Sequence, residues 1–251
     1  MAFTYTTSTQ ASGFTLAQLI TFIDTTMVTD LGYTLLDSYV STDEYRVYSY
    51  TYNGTAKGTF ILRIQYTATQ LNIVQYDTWN AGTHTGTGAT TTTTLSWSNS
   101  TSAVVDKFIG AEGRFAMLSN NSSRVALGYL RPSTPSTTTW PESTYRHLYY
   151  PSSSNFGTLY VSAGAAGIAS VTINTLNLTS VAAATWAGSK RQVWGPKFVM
   201  STSTGPVGFF TDIAETGLSG IAYGDIIQVS VGVEEYFVIG ASGSSNVVRI
   251  I

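Results

Sequence analysis

Apolar residues recur at three- and four-residue spacing through Phe14, Leu16, Leu19, Ile20, Phe22, Ile23, Met27, Val28 and Leu31. That is the core-facing stripe of an amphipathic helix. Ser12 or Thr15 is placed to cap its start, and Gly32 falls where a left-handed residue would end it. Nothing else in the chain carries helical periodicity over such a length. Beyond it the rhythm changes to that of strands. Val47, Tyr48, Tyr50 and Tyr52 lead into the turn dipeptide Asn53-Gly54, Thr59 to Tyr66 returns, and Leu71 to Tyr76 follows. The pattern predicts a helix laid on one face of a meander of three or four strands.

From residue 80 to 102 the apolar period disappears. Ala81 to Gly88 and the run Thr90 to Thr94 are low in complexity and read as a loop, linker or arm, although Thr suits a pleated surface and the run can pair if a sheet edge is present. A second breaker-rich stretch runs from Arg131 through Pro132 and Pro135 to Trp140-Pro141. After residue 145 short apolar runs recur between Gly, Ser and Pro: Tyr145 to Tyr150, Thr158 to Val161, Ser170 to Ile173, Val193 to Met200, Val207 to Phe210, Ile226 to Val231, Tyr236 to Ile239 and Val247 to Ile251. This is the rhythm of an all-β unit rather than of β-α-β repeats. The expected fold is mainly β with α+β character at the N-terminus. A helix and antiparallel meander occupy 1–88, a Thr-rich arm and connecting strands 89–144, and a β-sandwich or barrel-like domain 145–251.

Composition changes the picture from fold to function. Only 10% of the 251 residues are charged, against roughly 25% in ordinary soluble domains, and hydroxyls take their place with 40 Thr and 29 Ser. The net charge of −2 supplies no basic face for nucleic acid. Without Cys there is no disulfide scaffold, thiolate metal site or thiol chemistry. The opening Met1-Ala2-Phe3-Thr4-Tyr5 has neither the basic nor the apolar region of a signal peptide, so synthesis in a cytosol is expected. No apolar run reaches the length of a membrane-spanning helix, and no membrane insertion is expected.

The search for chemistry returns no constellation. There is no Gly-x-Ser-x-Gly elbow, since Gly240-Ala241-Ser242-Gly243 lacks the spacing and context. Gly82, Gly86 and Gly88 precede threonines rather than a helix that would point a dipole at phosphate. His84 and His147 have no flanking metal-ligand pattern, and His147 reads as a strand residue. Asp77 beside Trp79, or Asp212 with Glu215, are the acids best placed for a polysaccharide-cleaving pair. Of the others, Asp24, Asp30 and Asp37 belong to the helix and its exit, and Asp225 after Gly224 reads as a turn residue. The chain is expected to be no enzyme and to carry no cofactor and no metal.

What remains is contact. Trp79, Trp97, Trp140, Trp186 and Trp194 are each flanked by small or polar residues, and such rings serve sugar stacking, protein interfaces or the core. We expect them to divide between core and interface. A surface of Ser, Thr, Asn, Tyr and Gly hydrogen-bonds well and repels copies of itself little, which favours an assembly subunit that adds strands to a neighbour's edge.

The segments 16–39, 45–50 and 58–64 resemble the opening of many tailed-bacteriophage virion proteins, in which a helix ending in a Gly-aromatic step leads into a strand meander, and Gln75 to Thr87 and Leu127 to Pro132 look like further elements of such proteins. The likeness covers about half the chain. It implies a structural role in the virion, at the tail tip, baseplate or fibre attachment, with copies of itself and other virion proteins as partners. A carbohydrate- or receptor-binding module that meets a host surface glycan, or a head decoration protein, is the alternative. A polysaccharide-degrading enzyme is the third possibility weighed.

Overall fold

A computed structural model of the chain describes residues 4–9, 14–51, 59–89, 92–96, 104–109, 115–119, 124–128, 147–149, 158–162, 168–174, 181–182, 194–201, 205–216, 218–219, 221–230, 233–239 and 245–250. The fold is mainly β, in antiparallel sheets, with one N-terminal helix ahead of the meander.

The helix α1 (Leu16–Asp24) starts at Thr15, whose hydroxyl accepts from the Gln18 backbone N–H while Gln18 Oε1 accepts from the Thr15 N–H. This reciprocal capping satisfies two otherwise unpaired donors. The apolar stripe continues as predicted through Met27 to Leu31, but Thr25–Asp30 is a π-helix. Thr21, Thr25 and Thr26 each donate a hydroxyl hydrogen bond to the carbonyl four residues back. Such back-bonding competes with the regular ladder and accompanies the widening of the turns. Gly32 then takes φ +70° and stops the helix where the sequence placed the stop.

Strands β1 (Thr4–Thr9), β2 (Thr34–Val40), β3 (Glu44–Thr51), β4 (Thr59–Tyr66), β5 (Gln70–Tyr76), β6 (Thr78–Asn80), β7 (Thr85–Thr87) and β8 (Thr93–Ser96) follow chain order around the helix. The main sheet has the order β2-β3-β4-β5-β8, so the Thr run does pair, against β5. Asn53-Gly54, read as the β3–β4 turn, lies outside the described residues. A second sheet runs β1-β9-β10-β11, with β9 (Val104–Ile109), β10 (Phe115–Ser119) and β11 (Arg124–Gly128). Pairing of β1 with β9 joins residues on either side of position 88 in one sheet.

The helix is the middle layer. Leu19, Ile20, Ile23, Met27 and Leu31 pack on Tyr48, Leu62, Ile64, Tyr66, Leu71 and Ile73 of the first sheet, and Ala116 and Leu127 of the second join the same core. Lys107 on β9 reaches Asp30 at 2.6 Å and lies over the Phe22 ring. The opposite face of β9 carries Phe108 against Phe237, and buried Asp106 accepts from the Tyr223 hydroxyl.

The later runs form β12 (His147–Tyr149), β13 (Thr158–Ser162), β14 (Ile168–Asn174), β15 (Val181–Ala182), β16 (Trp194–Ser201), β17 (Gly205–Thr216), β18 (Leu218–Ser219), β19 (Ile226–Ser230), β20 (Glu234–Val238) and β21 (Ser245–Arg249). Eight of them join in one antiparallel sheet, β12-β13-β14-β16-β17-β21-β20-β19, and β15 pairs with β18. Gly224 at φ +91° and the Ala222–Asp225 hydrogen bonds make the turn expected at Asp225.

Candidate functional site

The first sheet has two faces. One carries Tyr48, Leu62, Ile64 and Ile73 to the helix; the other, by strict alternation from register, carries Tyr39, Tyr45, Val47, Ile61, Arg63, Val74 and Tyr76. Asp37 joins this outer face because of a bulge. Leu35 pairs with Tyr48, yet Asp37 pairs with Val47, so Leu36 is an extra residue in β2. Without it, alternation would send the Asp37 carboxylate toward the apolar helix layer.

Residues 78–87, expected as loop, form a hairpin of β6 and β7 that packs against this outer face. Asp77 donates its backbone N–H to the Thr87 carbonyl, and the Thr78 and Thr87 hydroxyls pair at 2.6 Å. Gly86 is required by close approach, since a Cβ there would overlap the Tyr76 ring and sit 2.8 Å from the Thr78 carbonyl oxygen. The turn residue His84 adopts φ +53°, a left-handed conformation that costs a non-glycine residue energy and persists only where its surroundings hold it.

Those surroundings are specific. Asp37 Oδ2 accepts from Trp79 Nε1 and is bonded to His84 Nδ1, each at 2.9 Å, and the Asp37 side chain is only 7% exposed. The His84 ring stacks on Tyr39 at 4.2 Å, and Tyr39 stacks on Tyr45 at 4.5 Å with the rings 4° from parallel. Trp79 meets Tyr76 edge-on at 5.1 Å. Arg63 closes the circuit, its guanidinium carbon 5.5 Å from the ring centroids of both Tyr45 and Tyr76. Burial raises the pKa of the Tyr39 phenol, opposed by the positive charge of Arg63.

A second polar cluster lies on the helix side. The Tyr48 hydroxyl donates to Asp24 Oδ1 at 2.5 Å and lies 3.4 Å from the Tyr66 hydroxyl, while Arg46 reaches Asp24 and Glu44. Burial drives both tyrosine pKa values well above the ordinary phenol range. These groups satisfy one another where the two buried tyrosines meet the partly exposed Asp24, Glu44 and Arg46.

Of the five tryptophans, Trp79 is thus half-buried at the cluster with its N–H bonded to Asp37. Trp97, Trp140 and Trp186 lie outside the described residues; Trp194 stands in β16 opposite Glu215, its side chain also outside them. Asp37, read from sequence as part of the helix exit, is a strand residue. Asp77 sits under Gly88, and Asp212 and Glu215 lie along β17. Tyr39, Tyr45, Arg63 and His84 have no signature in the sequence as one group, because three strands and a hairpin are needed to assemble them.

Chemically, Asp37 engages His84 Nδ1, which leaves Nε2 as the other ring nitrogen on a side chain 45% exposed. A hydrolytic dyad needs a hydroxyl on that nitrogen, and none of the described residues supplies one; Thr83 and Thr85 pair with each other. Among the described residues no group of three His, Asp or Glu side chains is placed to hold a metal ion, and no helix is long and apolar enough to cross a membrane. No protein-family model and no curated protein matches the chain.

Proposed function

We propose that the chain is a non-enzymatic structural subunit of a phage-like particle, in its tail or baseplate, that assembles through open sheet edges. The observation that carries this reading is β2. It is the outer strand of the first sheet, and none of the described strands pairs with its free edge. Leu35, Leu36 and Val40 on it are 41%, 39% and 74% exposed.

Monomeric proteins blunt such edges with charge, and the one charged residue of β2, Asp37, is engaged on the outer face of the sheet with Trp79 and His84 of the hairpin. At the far edge of the eight-stranded sheet β19 likewise exposes Ile226 and Val229. Low overall charge removes the repulsion that would keep copies apart. The partner this chemistry fits first is another copy of the chain, by strand addition along β2.

The test is sedimentation of the purified chain beside its Val40→Lys and Leu36→Lys variants. A concentration-dependent oligomer that both lysines disperse supports the reading. A monomer at all concentrations, from a chain also absent from purified particles, contradicts it. Head decoration is separated from tail placement by labelling the chain in intact particles.

A further inference from the structure

Strand β19 closes the eight-stranded sheet, and none of the described strands pairs with its outer edge. Its sequence, Ile226-Ile227-Gln228-Val229-Ser230, contains neither charge nor proline, the residue types that ordinarily keep an edge from adding a strand. In an antiparallel pair, residues alternate between those that exchange both backbone hydrogen bonds with the neighbour and those that turn both groups away. The Val238 N–H donates to the Asp225 carbonyl, so Ile226 opposite Phe237 is a pair without mutual bonds and Ile227 opposite Tyr236 is a bonded one. One strand further in, the Ile250 N–H donates to the Glu235 carbonyl. That turns Tyr236 away from Arg249 and toward Ile227, in the same phase. Ile226 and Gln228 therefore aim their N–H and C=O groups at the free edge. The run ends there, because Val229 is an extra residue between Gln228, which pairs with Glu235, and Ser230, which pairs with Glu234.

The acids beside this edge are already engaged. Asp225 accepts from the Ala222 N–H, Glu235 from the Gln228 side-chain amide and Glu234 from the Tyr236 hydroxyl. A strand laid on the edge thus covers no carboxylate that lacks a hydrogen bond, and β19 itself offers no ion to attract a charged one.

We propose that β19 pairs antiparallel with β19 of a second copy of the chain, about a two-fold axis at Ile227. Ile226 of each copy then faces Gln228 of the other, and every outward residue of both strands sits in a hydrogen-bonded pair. A two-fold contact needs a self-complementary patch, and two outward residues flanking one inward residue form one. Neighbouring registers lose a pair. They set an outward residue opposite Gly224, whose N–H already goes to the Val238 carbonyl, or opposite Ser230 beyond the bulge. Across the axis the stem of Gln228 covers Ile226, which is 38% exposed in the single chain. The contact goes beyond assembly along β2, because it uses another strand of another sheet, and either contact can fail alone.

The experiment uses the full chain, which has no Cys, so introduced thiols are the only ones present. Ile226→Cys and Gln228→Cys proteins, each also carrying Val40→Lys to remove the β2 contact, are mixed under mild oxidation with a mass tag on one of them. Paired residues lie about 5.5 Å apart between Cα atoms, within the span of a disulfide. The mixture is expected to form the tagged–untagged dimer at least about tenfold faster than either protein links to itself. By sedimentation, the Val40→Lys chain is expected to retain a dimer that adding Ile226→Lys splits into monomers. A dimer of equal strength in the wild type and in Val40→Lys supports the β19 contact while sinking the one along β2. The proposal is overturned if the Val40→Lys chain is a monomer at every concentration, or if the mixture links no faster than its components. Faster linking of Ile226→Cys to Val40→Cys than to Gln228→Cys also overturns it and assigns a head-to-tail contact of β19 with β2. Amide exchange at Ile226 and Gln228 in the chain without cysteines is expected to slow as concentration rises. Fast exchange there at every concentration overturns the proposal even where a variant fails to fold.

Discussion

Replacing Asp37 with Ala removes the one acceptor that ties the β6–β7 hairpin to β2. Two hydrogen bonds are lost, from Trp79 Nε1 and His84 Nδ1, each 2.9 Å long. Hydrogen bonds to a charged group contribute about 1.5–3 kcal/mol each where water cannot replace them. Trp79 is half-buried and recovers little from water. The His84 ring is 45% exposed, so its Nδ1–H finds water and that bond counts for well under 1 kcal/mol on the scale of exposed pairs. Removing a carboxylate that is only 7% exposed also relieves its desolvation, which offsets part of the loss.

The net expectation is a destabilisation of about 2 kcal/mol, or a Tm lowered by about 4–8 °C for a chain of this size. Asp37→Asn keeps an acceptor for Trp79 and is expected to cost about half as much; His84→Ala is expected to cost at most about 0.5 kcal/mol. Thermal unfolding gives the global figure. Amide exchange at Asp77, whose N–H donates to the Thr87 carbonyl, gives the local one. The reasoning is refuted if Asp37→Ala leaves both unchanged, or if Asn is worse than Ala.

Gly86→Ala places a methyl against the Tyr76 ring and the Thr78 carbonyl, so the hairpin must lift; we expect a loss of about 1–3 kcal/mol and faster exchange at Asp77, read by the same two assays. Tyr48 and Tyr66 have folded-state pKa values raised above the ordinary phenol value of about 10, first by burial. Their contribution to stability is therefore complete below about pH 10 and is lost as the pH rises above it. An alkaline titration followed by phenolate absorbance is expected to leave these two of the 16 tyrosines un-ionised until the chain unfolds, and reversible ionisation of all 16 in the folded state contradicts the burial described.

The helix was legible in the sequence because its signals are local: a three-four apolar stripe, Thr15 at the cap and Gly32 at the stop. The meander was legible for the same reason, since its strands are short runs rich in β-branched and aromatic residues, although β3 and β5 bury residues on both faces. The π-helix was not. The threonine back-bonds that accompany it leave the apolar stripe unchanged, so the pattern reads alike for either winding. The hairpin at 78–87 escaped because it has no apolar alternation, and because a histidine rather than a glycine takes its left-handed position. The cluster around Asp37 was hidden more deeply. One bulge residue, Leu36, inverts the parity of the rest of β2, and a one-residue slip exchanges the two faces of a strand. Pairing of β1 with β9 has no local signature, because its partners lie about a hundred positions apart.

If β2 is an assembly edge, its backbone N–H groups exchange slowly in the oligomer and quickly in the monomer. Hydrogen exchange across residues 34–40 in the wild type and in Val40→Lys therefore reads the proposed contact itself. The account predicts protection of this strand that grows with protein concentration and vanishes in the lysine variant. Exchange along 34–40 that is fast and equal in both proteins, at every concentration and in the purified particle, would contradict it.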